Sequence, residues 1–599
     1  MLKRLKPKKQ IYDPFAPSLT VKKKEVNIYA RIIERIEDWP IYRLSRDRAA
    51  FLRDIDEHTF LRIASRHKKD LADVLLKTIY QERIRIKEDP WKVDPPDDRS
   101  FWNRVSKHLL KKSLDKDDAE ARVESEQILQ KIIHRYSEEI VGTFQISTFR
   151  FAQRFLTAFF NRIFNAVVGK SLRAMFRGKR NLFERLNVVG DVETVRTLFQ
   201  HGTVVVVPTH NSNLDSILVG YAMDQIMGLP SFSYGAGLNL YNFGPAAYYM
   251  NRLGAYRVDR RKKNAVYLET LKMMSRLSIE RGVNSLFFPG GTRSRSGEIE
   301  TDLKMGLLGT ALEAQRAMVS DAEKNGLPGT PSKKVFIVPL VICYNFVLEA
   351  PFLVEQHLRS TGKEHYIRLK DQGNSVRSWF HFIWRFFSTS SDITLSIGKP
   401  LDVLGNFVDG EGKSYDKYGN ALDIREYFLA NGRVNEDRQR EEEYTKLLAD
   451  RIAARYLVEN VALSGHLVAH AVFKMLSHLN PKLDLFGIFR LPPDDFLFPI
   501  ESVEAIVEQM LEKLYELERN EKIKLAPELR GTPFEIVQDG VKNLGIYHTE
   551  KPLQFTKDGD IVSSDFRVLY FYSNRLKAYN LQNAVHWKPQ EIDLLKIAD

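Results

Sequence analysis

Five short runs of β-branched and aliphatic residues, separated by stretches with helical spacing, lie in the middle of this chain. They read TVVVVP, GAYRVDR, NSLFFPGG, VFIVPLVICY and ITLSIG, and the change in pattern begins at about residue 190. Strands that alternate with helices form a sheet whose connections cross over its faces. The pattern therefore predicts an α/β sheet in this part of the chain.

The segments on both sides of these strands have the pattern of helices. Apolar residues recur at helical spacing from about 26 to 140, and residues 89–98, rich in proline and aspartate, link two helical groups. The helical pattern returns after about residue 435, and FRVLYFYSNRL is expected to form a short β piece near the end. A length of 599 residues favours roughly three or four domains.

Charge and cysteine content restrict the classes of partner and compartment. The formal charge of +13 predicts anionic partners, which include nucleic acid, anionic lipid and phosphorylated substrates. Basic residues are mixed with acidic ones and no nucleic-acid module is recognised, so nucleic acid is not an expected partner. The single cysteine, Cys343, excludes an intramolecular disulfide, fits a reducing compartment and lies in an apolar run typical of a buried thiol.

Membrane attachment is expected to be peripheral. No run of 18 or more apolar residues occurs, and no apolar segment follows the basic N-terminus. Residues 146–185 mix Phe155 and Phe159 with Arg154 and Arg162, the composition of an amphipathic helix in a lipid headgroup layer. A core-facing helix fits this pattern equally well. A second aromatic stretch, VRSWFHFIWRFF, allows the same two interpretations.

The sequence VVVVPTHNSNLD places His210 just after a predicted strand and Asp215 in the first turn of the next helix, with Ser212 or Asn213 as the cap. A carboxylate that accepts a hydrogen bond from one imidazole nitrogen fixes the tautomer and leaves the other nitrogen as a general base. Such a base suits acyl transfer, in which a hydroxyl gains alkoxide character as it attacks a thioester. Taken alone, the spacing is also typical of a structural histidine.

Three further blocks follow in order. GAYRVDRRKK contains Arg260, FFPGGTRSRSG joins a glycine turn to Arg293 and Arg295, and VFIVPLVICYN is a strand with a proline in mid-run. Backbone N–H groups of a glycine turn and guanidinium groups are well matched to a phosphate. The turn lacks the Gly-Lys-Ser/Thr ending of a Walker A loop. Four such blocks in this order are not expected by chance.

In combination the blocks resemble the glycerol-3-phosphate and 1-acylglycerol-3-phosphate acyltransferase superfamily, whose first motif is His-x4-Asp. HNSNLD is similar to that motif, GAYRVDR to the second block, FPGGTRSR to the third and IVPLVICYN to the fourth. The resemblance covers roughly residues 190–405. It implies a twisted, mainly parallel α/β sheet with the site at the strand ends, and no metal or bound cofactor.

The resemblance also implies roles for individual residues. It implies His210 as general base and Asp215 as the partner that orients it. It implies an acceptor-binding set formed by Arg260, Gly291, Thr292, Arg293, Arg295 and Lys304.

One position departs from the family pattern. Gly290 stands where the third block usually has a glutamate, which in the family is taken to help shape the acceptor site. Glu298 and Glu300 are near in sequence but lie beyond the glycine turn. Elsewhere, His466 and His470 are one helical turn apart, and a helix pair is favoured over a metal site because no third ligand is evident.

These observations divide the chain into four predicted parts. The parts are an N-terminal helical region (1–145), an amphipathic membrane-association segment (146–185), an α/β acyltransferase domain (186–405) and a mostly helical C-terminal region (406–599). The long flanks, and the likeness of LYFYSNRL to a segment near the end of the large glycerol-3-phosphate enzymes, favour a glycerol-3-phosphate 1-O-acyltransferase.

The expected donor is acyl-CoA or acyl-carrier protein. The expected location is the cytoplasmic face of a membrane that contains anionic lipid. The alternatives are an acyltransferase for lysophosphatidate, another lysolipid or dihydroxyacetone phosphate, and a catalytically weakened scaffold protein at a membrane surface.

Overall fold

The structure is a computed structural model. It describes residues 28–112, 118–166, 186–238, 241, 244–324, 333–347, 349–360, 393–545, 548 and 550–587. The predicted membrane-association segment is therefore described only up to residue 166, and the aromatic stretch at 376–387 lies outside the described residues. The division into four parts stays a prediction.

A seven-stranded sheet forms the centre of the fold, with the strand order β1-β7-β6-β2-β5-β3-β4. The strands are β1 (Leu186–Gly190), β2 (Gly202–Pro208), β3 (Ser233–Gly237), β4 (Ala255–Val258), β5 (Ser285–Leu286), β6 (Lys334–Tyr344) and β7 (Ile393–Ile397). Neighbouring strands run parallel except β6 and β7. The predicted mainly parallel α/β sheet is confirmed, and each of the five predicted runs contains a strand. The strands β1 and β3 were not predicted.

Helices flank the sheet on both sides in sequence, as predicted. Those before and within the sheet region are α1 (Pro40–Arg46), α2 (Arg48–Arg66), α3 (Leu71–Glu88), α4 (Asp98–Lys112), α5 (Asp118–Ile140), α6 (Ile146–Ala166), α7 (Val192–His201), α8 (Asp215–Gln225), α9 (Gly244–Met250), α10 (Ala265–Glu280), α11 (Met305–Lys324) and α12 (Ala350–Ser360). Those after it are α13 (Arg438–Glu459), α14 (Ser464–Leu479), α15 (Leu485–Ile488), α16 (Ile500–Arg519), α17 (Pro533–Asn543) and α18 (Phe566–Ser573). None of the described helices combines the length and the apolar character needed to cross a bilayer.

Short elements complete the chain outside the main sheet. Two-residue strands lie at Phe407–Val408, Ser414–Tyr415, Ala421–Leu422, Leu429–Ala430, Arg433–Val434, Val461–Ala462, Lys524–Leu525, Gln554–Phe555 and Ile561–Val562. Short 3-10 helices lie at Ile36–Asp38, Ile424–Phe428, Pro493–Asp495, Pro527–Arg530, Asn574–Tyr579 and Leu581–Ala584.

The central strands are buried on both faces. Along β2, Val204 and Val206 belong to one apolar core, and Val205 and Val207 to the other. This division follows from the two-residue period of a strand, and it explains why β2 reads as a continuous apolar run. Helices α8 and α14 supply residues to the first core, and α11 and α13 to the second. The C-terminal region thus covers both faces of the sheet. Cys343 is fully buried in the second core, as predicted.

The segment FRVLYFYSNRL is a helix, so the prediction of a β piece was wrong. Asp565 accepts hydrogen bonds from the backbone N–H groups of Arg567 and Val568 and thereby caps α18. Every residue of α18 except Arg567 is buried. Burial on all sides removes the helical periodicity from the sequence, and the aromatic and β-branched composition then resembles that of a strand.

Candidate active site

The predicted motifs meet at one edge of the sheet. Strands β2, β5 and β6 are neighbours and run parallel, so their carboxyl ends lie side by side. The His210 loop follows β2, the glycine turn follows β5, and β6 ends at Tyr344. The order of strands in space therefore brings together segments that are far apart in sequence.

His210 and Asp215 are in direct contact. Nδ1 of His210 lies 2.8 Å from Oδ2 of Asp215, and the carboxylate is fully buried whereas the imidazole is partly exposed. Because a carboxylate only accepts hydrogen bonds, Nδ1 carries the proton and Nε2 keeps its lone pair. In the part of the chain that the structure describes, Nε2 has no hydrogen-bond partner. The contact fixes the tautomer and the orientation of the imidazole.

The Asp215 carboxylate is held by three further donors. The backbone N–H groups of Asn211 (2.6 Å) and Ser212 (2.9 Å) donate to Oδ2, and the hydroxyl of Tyr344 donates to Oδ1 at 2.5 Å. Burial and the charge of Asp215 raise the pKa of Tyr344 well above its ordinary value, so the phenol stays a donor. Four hydrogen bonds offset the cost of burying this carboxylate and fix its direction.

Asp215 lies in the first turn of α8, as predicted, but the predicted cap was wrong. Leu214 is the capping residue and makes no side-chain cap bond. The Ser212 hydroxyl accepts from the N–H of Leu214 at 3.3 Å and donates to Glu349 at 3.1 Å. The Asp215 carboxylate accepts hydrogen bonds from the N–H groups of Asn211 and Ser212. The same carboxylate therefore fixes the loop before α8 and the orientation of the imidazole.

The segment that follows β5 contacts His210 through Phe288, Ser294 and Glu300. The Phe288 ring stacks on the imidazole with centroids 4.1 Å apart. The N–H of Ser294 donates to the carbonyl of His210 at 2.7 Å, and the N–H of His210 donates to Oε1 of Glu300 at 3.1 Å. Gly291 has a φ of +76°, a left-handed conformation that favours glycine, at the tight bend of the turn. The third block therefore fixes the main chain of His210 besides carrying arginines.

Arg293 is joined to the His210 loop through Glu349. Its Nη1 lies 3.3 Å from Oε1 of Glu349, which also accepts from the backbone N–H of Asn213 at 3.1 Å. The Glu349 carboxylate was not predicted as part of the site. It holds Arg293 beside the segment that carries His210.

Arg260 lies close enough to Arg293 for the two charges to interact. Partial loss of water around Arg260, and secondly the positive charge of Arg293, lower the pKa of Arg260. Arg260 has no hydrogen-bond or ion-pair partner among the residues that the structure describes. Two guanidinium groups that approach each other repel, and an anion between them relieves that repulsion.

The other predicted binding residues are distributed around the turn. Arg295, Thr292 and Lys304 are exposed. The backbone N–H of Lys304 donates to the carbonyl of Pro289 at 2.7 Å, which ties the end of the block to the start of the turn. Burial lowers the pKa of His357, and the positive charges of Lys577 and Arg295 add to this effect, so Arg295 lies within electrostatic reach of that imidazole.

The N-terminal helical region holds the loop that carries Arg260. The neighbouring Arg261 forms ion pairs with Asp94 at 2.5 Å and Asp259 at 2.8 Å. Asn264 caps α10 and donates from its side chain to Glu82 of α3 at 3.0 Å. The contacts with Asp94 and Glu82 join the N-terminal region to the second block and the helix start that follows it, so that region positions a predicted site loop.

The C-terminal region holds the other end of the glycine turn. The Asn574 side chain donates to the carbonyl of Ser296 at 2.8 Å. Gly297 has a φ of +82°, and a Cβ atom there would lie 2.0 Å from the Phe571 carbonyl oxygen, so only glycine fits. The segment that resembles the end of the large enzymes thus packs directly on the third block.

His466 and His470 are buried in α14 and bond different carbonyl groups. Nε2 of His466 lies 2.9 Å from the Tyr344 oxygen, and Nδ1 of His470 lies 2.9 Å from the Ser573 oxygen. Their surroundings are those of core histidines, as the sequence favoured. In the described part of the chain no cluster of three or more His, Cys, Asp or Glu side chains is suited to a metal ion.

Tyr344, Glu349 and Glu300 were missed as site residues. Tyr344 ends the strand of the fourth block, and the neighbourhood of β6 and β2 is the signal that could have placed it beside Asp215. Glu349 lies after the strand of the fourth block and Glu300 lies after the glycine turn. Neither belongs to a sequence motif that would mark it as a site residue. Asn574 has no such signal, because its contact joins segments 278 residues apart.

Comparisons with known proteins agree with the motifs. A family model described as Acyltransferase matches residues 186–343. A glycerol-3-phosphate acyltransferase of Pseudoalteromonas atlantica is 26% identical over 305 residues, which cover 49% of this chain and 31% of that protein. One of Aeromonas hydrophila is 26% identical over 422 residues, which cover 68% of this chain and 45% of that protein. The chain thus spans less than half the length of these curated relatives, and the resemblance stated from the motifs is confirmed.

Proposed function

Residues 186–343 of this chain are a domain of the acyltransferase family, and on that premise we propose that the chain moves a fatty acyl group from a thioester to the sn-1 hydroxyl of glycerol 3-phosphate. The observation that carries the proposal is the 2.8 Å contact between His210 Nδ1 and Asp215 Oδ2, which leaves Nε2 as the base. The names of the relatives support the acceptor.

The proposed reaction has one base and no covalent acyl-enzyme. Nε2 of His210 takes the proton of the acceptor hydroxyl, and the oxygen attacks the thioester carbonyl carbon. The tetrahedral intermediate then breaks its C–S bond, and the imidazolium returns the proton to the leaving thiolate. Asp215 stabilises the imidazolium that forms in between. General-base assistance of this kind contributes about 10²- to 10⁴-fold to the rate.

The acceptor phosphate is proposed to bind among Arg260, Arg293 and Arg295, with Lys304 and the turn residues Gly291 and Thr292 at the rim. The support is the approach of Arg260 to Arg293 without a counter-ion for Arg260 among the described residues. A phosphate held there directs the glycerol hydroxyl of the same molecule toward His210. The reaction then starts from an oriented complex, which lowers its entropic cost. The Glu349 carboxylate on Arg293 then either yields to the phosphate or shares the guanidinium with it.

The donor is proposed to be acyl-CoA or acyl-carrier protein, and the working place the cytoplasmic face of a membrane that contains anionic lipid. The support for the surface is α6, on which Phe151 and Phe155 are 53% and 49% exposed and Arg154 lies between them in sequence. Exposed aromatic side chains beside arginine suit the boundary between headgroups and acyl chains. A reducing compartment fits the single cysteine.

The test offers the purified chain two labelled donors and two acceptors in all four combinations. The donors are acyl-CoA and acyl-carrier protein, and the acceptors are glycerol 3-phosphate and lysophosphatidate. Label in 1-acylglycerol 3-phosphate supports the proposal and identifies the donor. Product from lysophosphatidate alone replaces it with the lysolipid alternative. No product from any combination favours the non-enzymatic scaffold.

A further inference from the structure

Glu300 lies between the His210 loop and the glycine turn. One carboxyl oxygen, Oε1, accepts the backbone N–H of His210 at 3.1 Å. The other, Oε2, is buried and has no hydrogen-bond partner among the residues that the structure describes. A buried carboxyl oxygen without a hydrogen-bond partner lowers the stability of the fold. Such a group beside His210 therefore needs an explanation.

The Glu300 carboxyl group fills the space beside Gly290. A Cβ atom on Gly290 would lie 2.5 Å from Oε2 and 2.6 Å from Cδ of Glu300. The backbone of Gly290 does not have the positive φ found at Gly291, so the demand at 290 is for space and not for a left-handed conformation. Gly290 lacks a side chain because the end of Glu300 lies there.

The same distances show what a glutamate at 290 would do. Two successive C–C bonds span about 2.5 Å, so a glutamate side chain carries its own Cδ about 2.5 Å from its Cβ. The Cδ of Glu300 lies 2.6 Å from the Cβ position of residue 290. The carboxyl carbon of Glu300 therefore lies at the distance at which a glutamate at 290 would place its own.

We propose that Glu300 is a positioning residue, which supplies from the far side of the glycine turn the carboxyl group missing at Gly290 and so fixes the main chain of His210. The Glu300 carboxyl holds the N–H of His210 while the N–H of Ser294 holds its carbonyl, and the two bonds set the plane from which the ring projects. This inference rests on the proposed acyl transfer. On this proposal the space beside His210 requires one carboxyl group and has room for only one, supplied either by residue 290 or by residue 300.

The electrostatic surroundings agree with this role. Burial, and to a smaller degree the charge of Asp215, raise the pKa of Glu300 to about 8, while the His210 N–H and the charge of Arg575 act in the other direction. Burial, and after it the charge of Glu300, raise the pKa of the Tyr456 phenol well above its ordinary value. Since Oε1 accepts the His210 N–H whether or not the carboxyl group is ionised, the bond persists on both sides of that pH.

The test is an exchange of the two residues. The purified variants are Glu300→Ala, Gly290→Glu and the double variant Gly290→Glu/Glu300→Ala, with Asp302→Ala as the matched control, because Asp302 is exposed in the same stretch. Each of the two single site variants is expected to lose about tenfold or more in kcat, with the acceptor KM changed less than about threefold. The double variant is expected to regain most of that loss, a coupling that independent sites would not show.

Glu300→Gln keeps an oxygen for the His210 N–H and is expected to stay within about threefold of the wild-type kcat. The proposal is overturned if Glu300→Ala keeps its kcat, or if the double variant is no better than Gly290→Glu alone.

Unfolding midpoints of the same proteins separate this proposal from the proposed function. Gly290→Glu is expected to lower the midpoint, and Glu300→Ala in that background to raise it again. If the parent transfers no acyl group to either acceptor, the proposed function fails, while this recovery of the midpoint still tests the shared space. Absence of the recovery would contradict the pairing whatever the activity.

Discussion

The Tyr344 hydroxyl donates to Oδ1 of Asp215 at 2.5 Å, on the opposite oxygen from the one that holds His210. Tyr344 ends β6, the strand beside β2, and thus reaches the carboxylate that holds His210. Because both oxygens of the carboxylate accept hydrogen bonds, the orientation of the Asp215 side chain is fixed. The orientation of the imidazole bonded to it is fixed as well.

Removal of this hydroxyl is predicted to weaken both activity and stability. Tyr344→Phe leaves Oδ1 of a fully buried carboxylate without its donor, which costs about 1–3 kcal/mol of unfolding free energy. A less restrained Asp215 is expected to lower kcat about tenfold with little change in KM. Denaturant unfolding and steady-state kinetics measure the two effects. Tyr418→Phe is the control, since Tyr418 is 77% exposed.

Loss of a guanidinium group at the proposed phosphate site is predicted to act on acceptor binding. Arg260→Met and Arg293→Met are each expected to raise the KM for glycerol 3-phosphate about tenfold or more, because a charge-assisted hydrogen bond to the phosphate is lost. The donor KM should stay unchanged. Arg438→Met, in an exposed ion pair on α13, is the control. A loss confined to kcat in both site variants would contradict the assignment.

The contact between Asn574 and the glycine turn is predicted to matter for the acceptor. Asn574→Ala removes the donor to the Ser296 carbonyl, three residues after Arg293. We expect a rise of about three- to tenfold in the acceptor KM and a loss of about 1 kcal/mol in unfolding free energy. Asn583→Ala changes an exposed asparagine nearby and should do neither. An unchanged KM would limit Asn574 to a role in packing.

Three buried histidines predict how stability changes with acid. Burial lowers the pKa of His466 to about 3, and of His470 and His548 to about 4, from an ordinary 6.5. Between these values the unfolded chain binds protons that the folded chain does not, so the unfolding free energy falls as the pH falls below about 6.5 and levels off near the folded pKa.

The loss is at most about 3 kcal/mol for His470 or His548 and about 5 kcal/mol for His466. Urea unfolding at several pH values measures it. The variant His470→Gln should show a shallower decline than the parent. Parallel declines would mean that His470 titrates normally in the folded chain.

The sequence predicted the parts of the fold that follow local rules. The β-branched runs of β2 and β6 and the block that starts with His210 needed only periodicity and spacing. The strand β3 was not predicted because its sequence, SYGAG, has small residues and little β-branching. Its extended conformation is stabilised by pairing with β4 and β5. The helix α18 was not predicted because burial of nearly all its residues removes the helical spacing of apolar and polar residues.

The site divides in the same way. His210 and Asp215 are five residues apart and their contact follows from one turn, whereas the partners that hold them come from distant segments. Tyr344 is 129 residues from Asp215, and Glu300 is 90 residues from His210. Such pairs depend on strand order, and spacing alone cannot supply it. Gly290 is a further example, because the overlap of a side chain there with Glu300 is visible only in the structure.

The proposed role of His210 as the general base of an acyl transfer is tested by kcat for the parent, His210→Ala and His201→Ala with glycerol 3-phosphate and the better donor. His201 is exposed at the end of α7 and serves as the control. General-base catalysis by His210 predicts a loss of about 10²-fold or more in kcat for His210→Ala, with folding and the control unaffected. Acyl transfer by His210→Ala at the parent rate would contradict it.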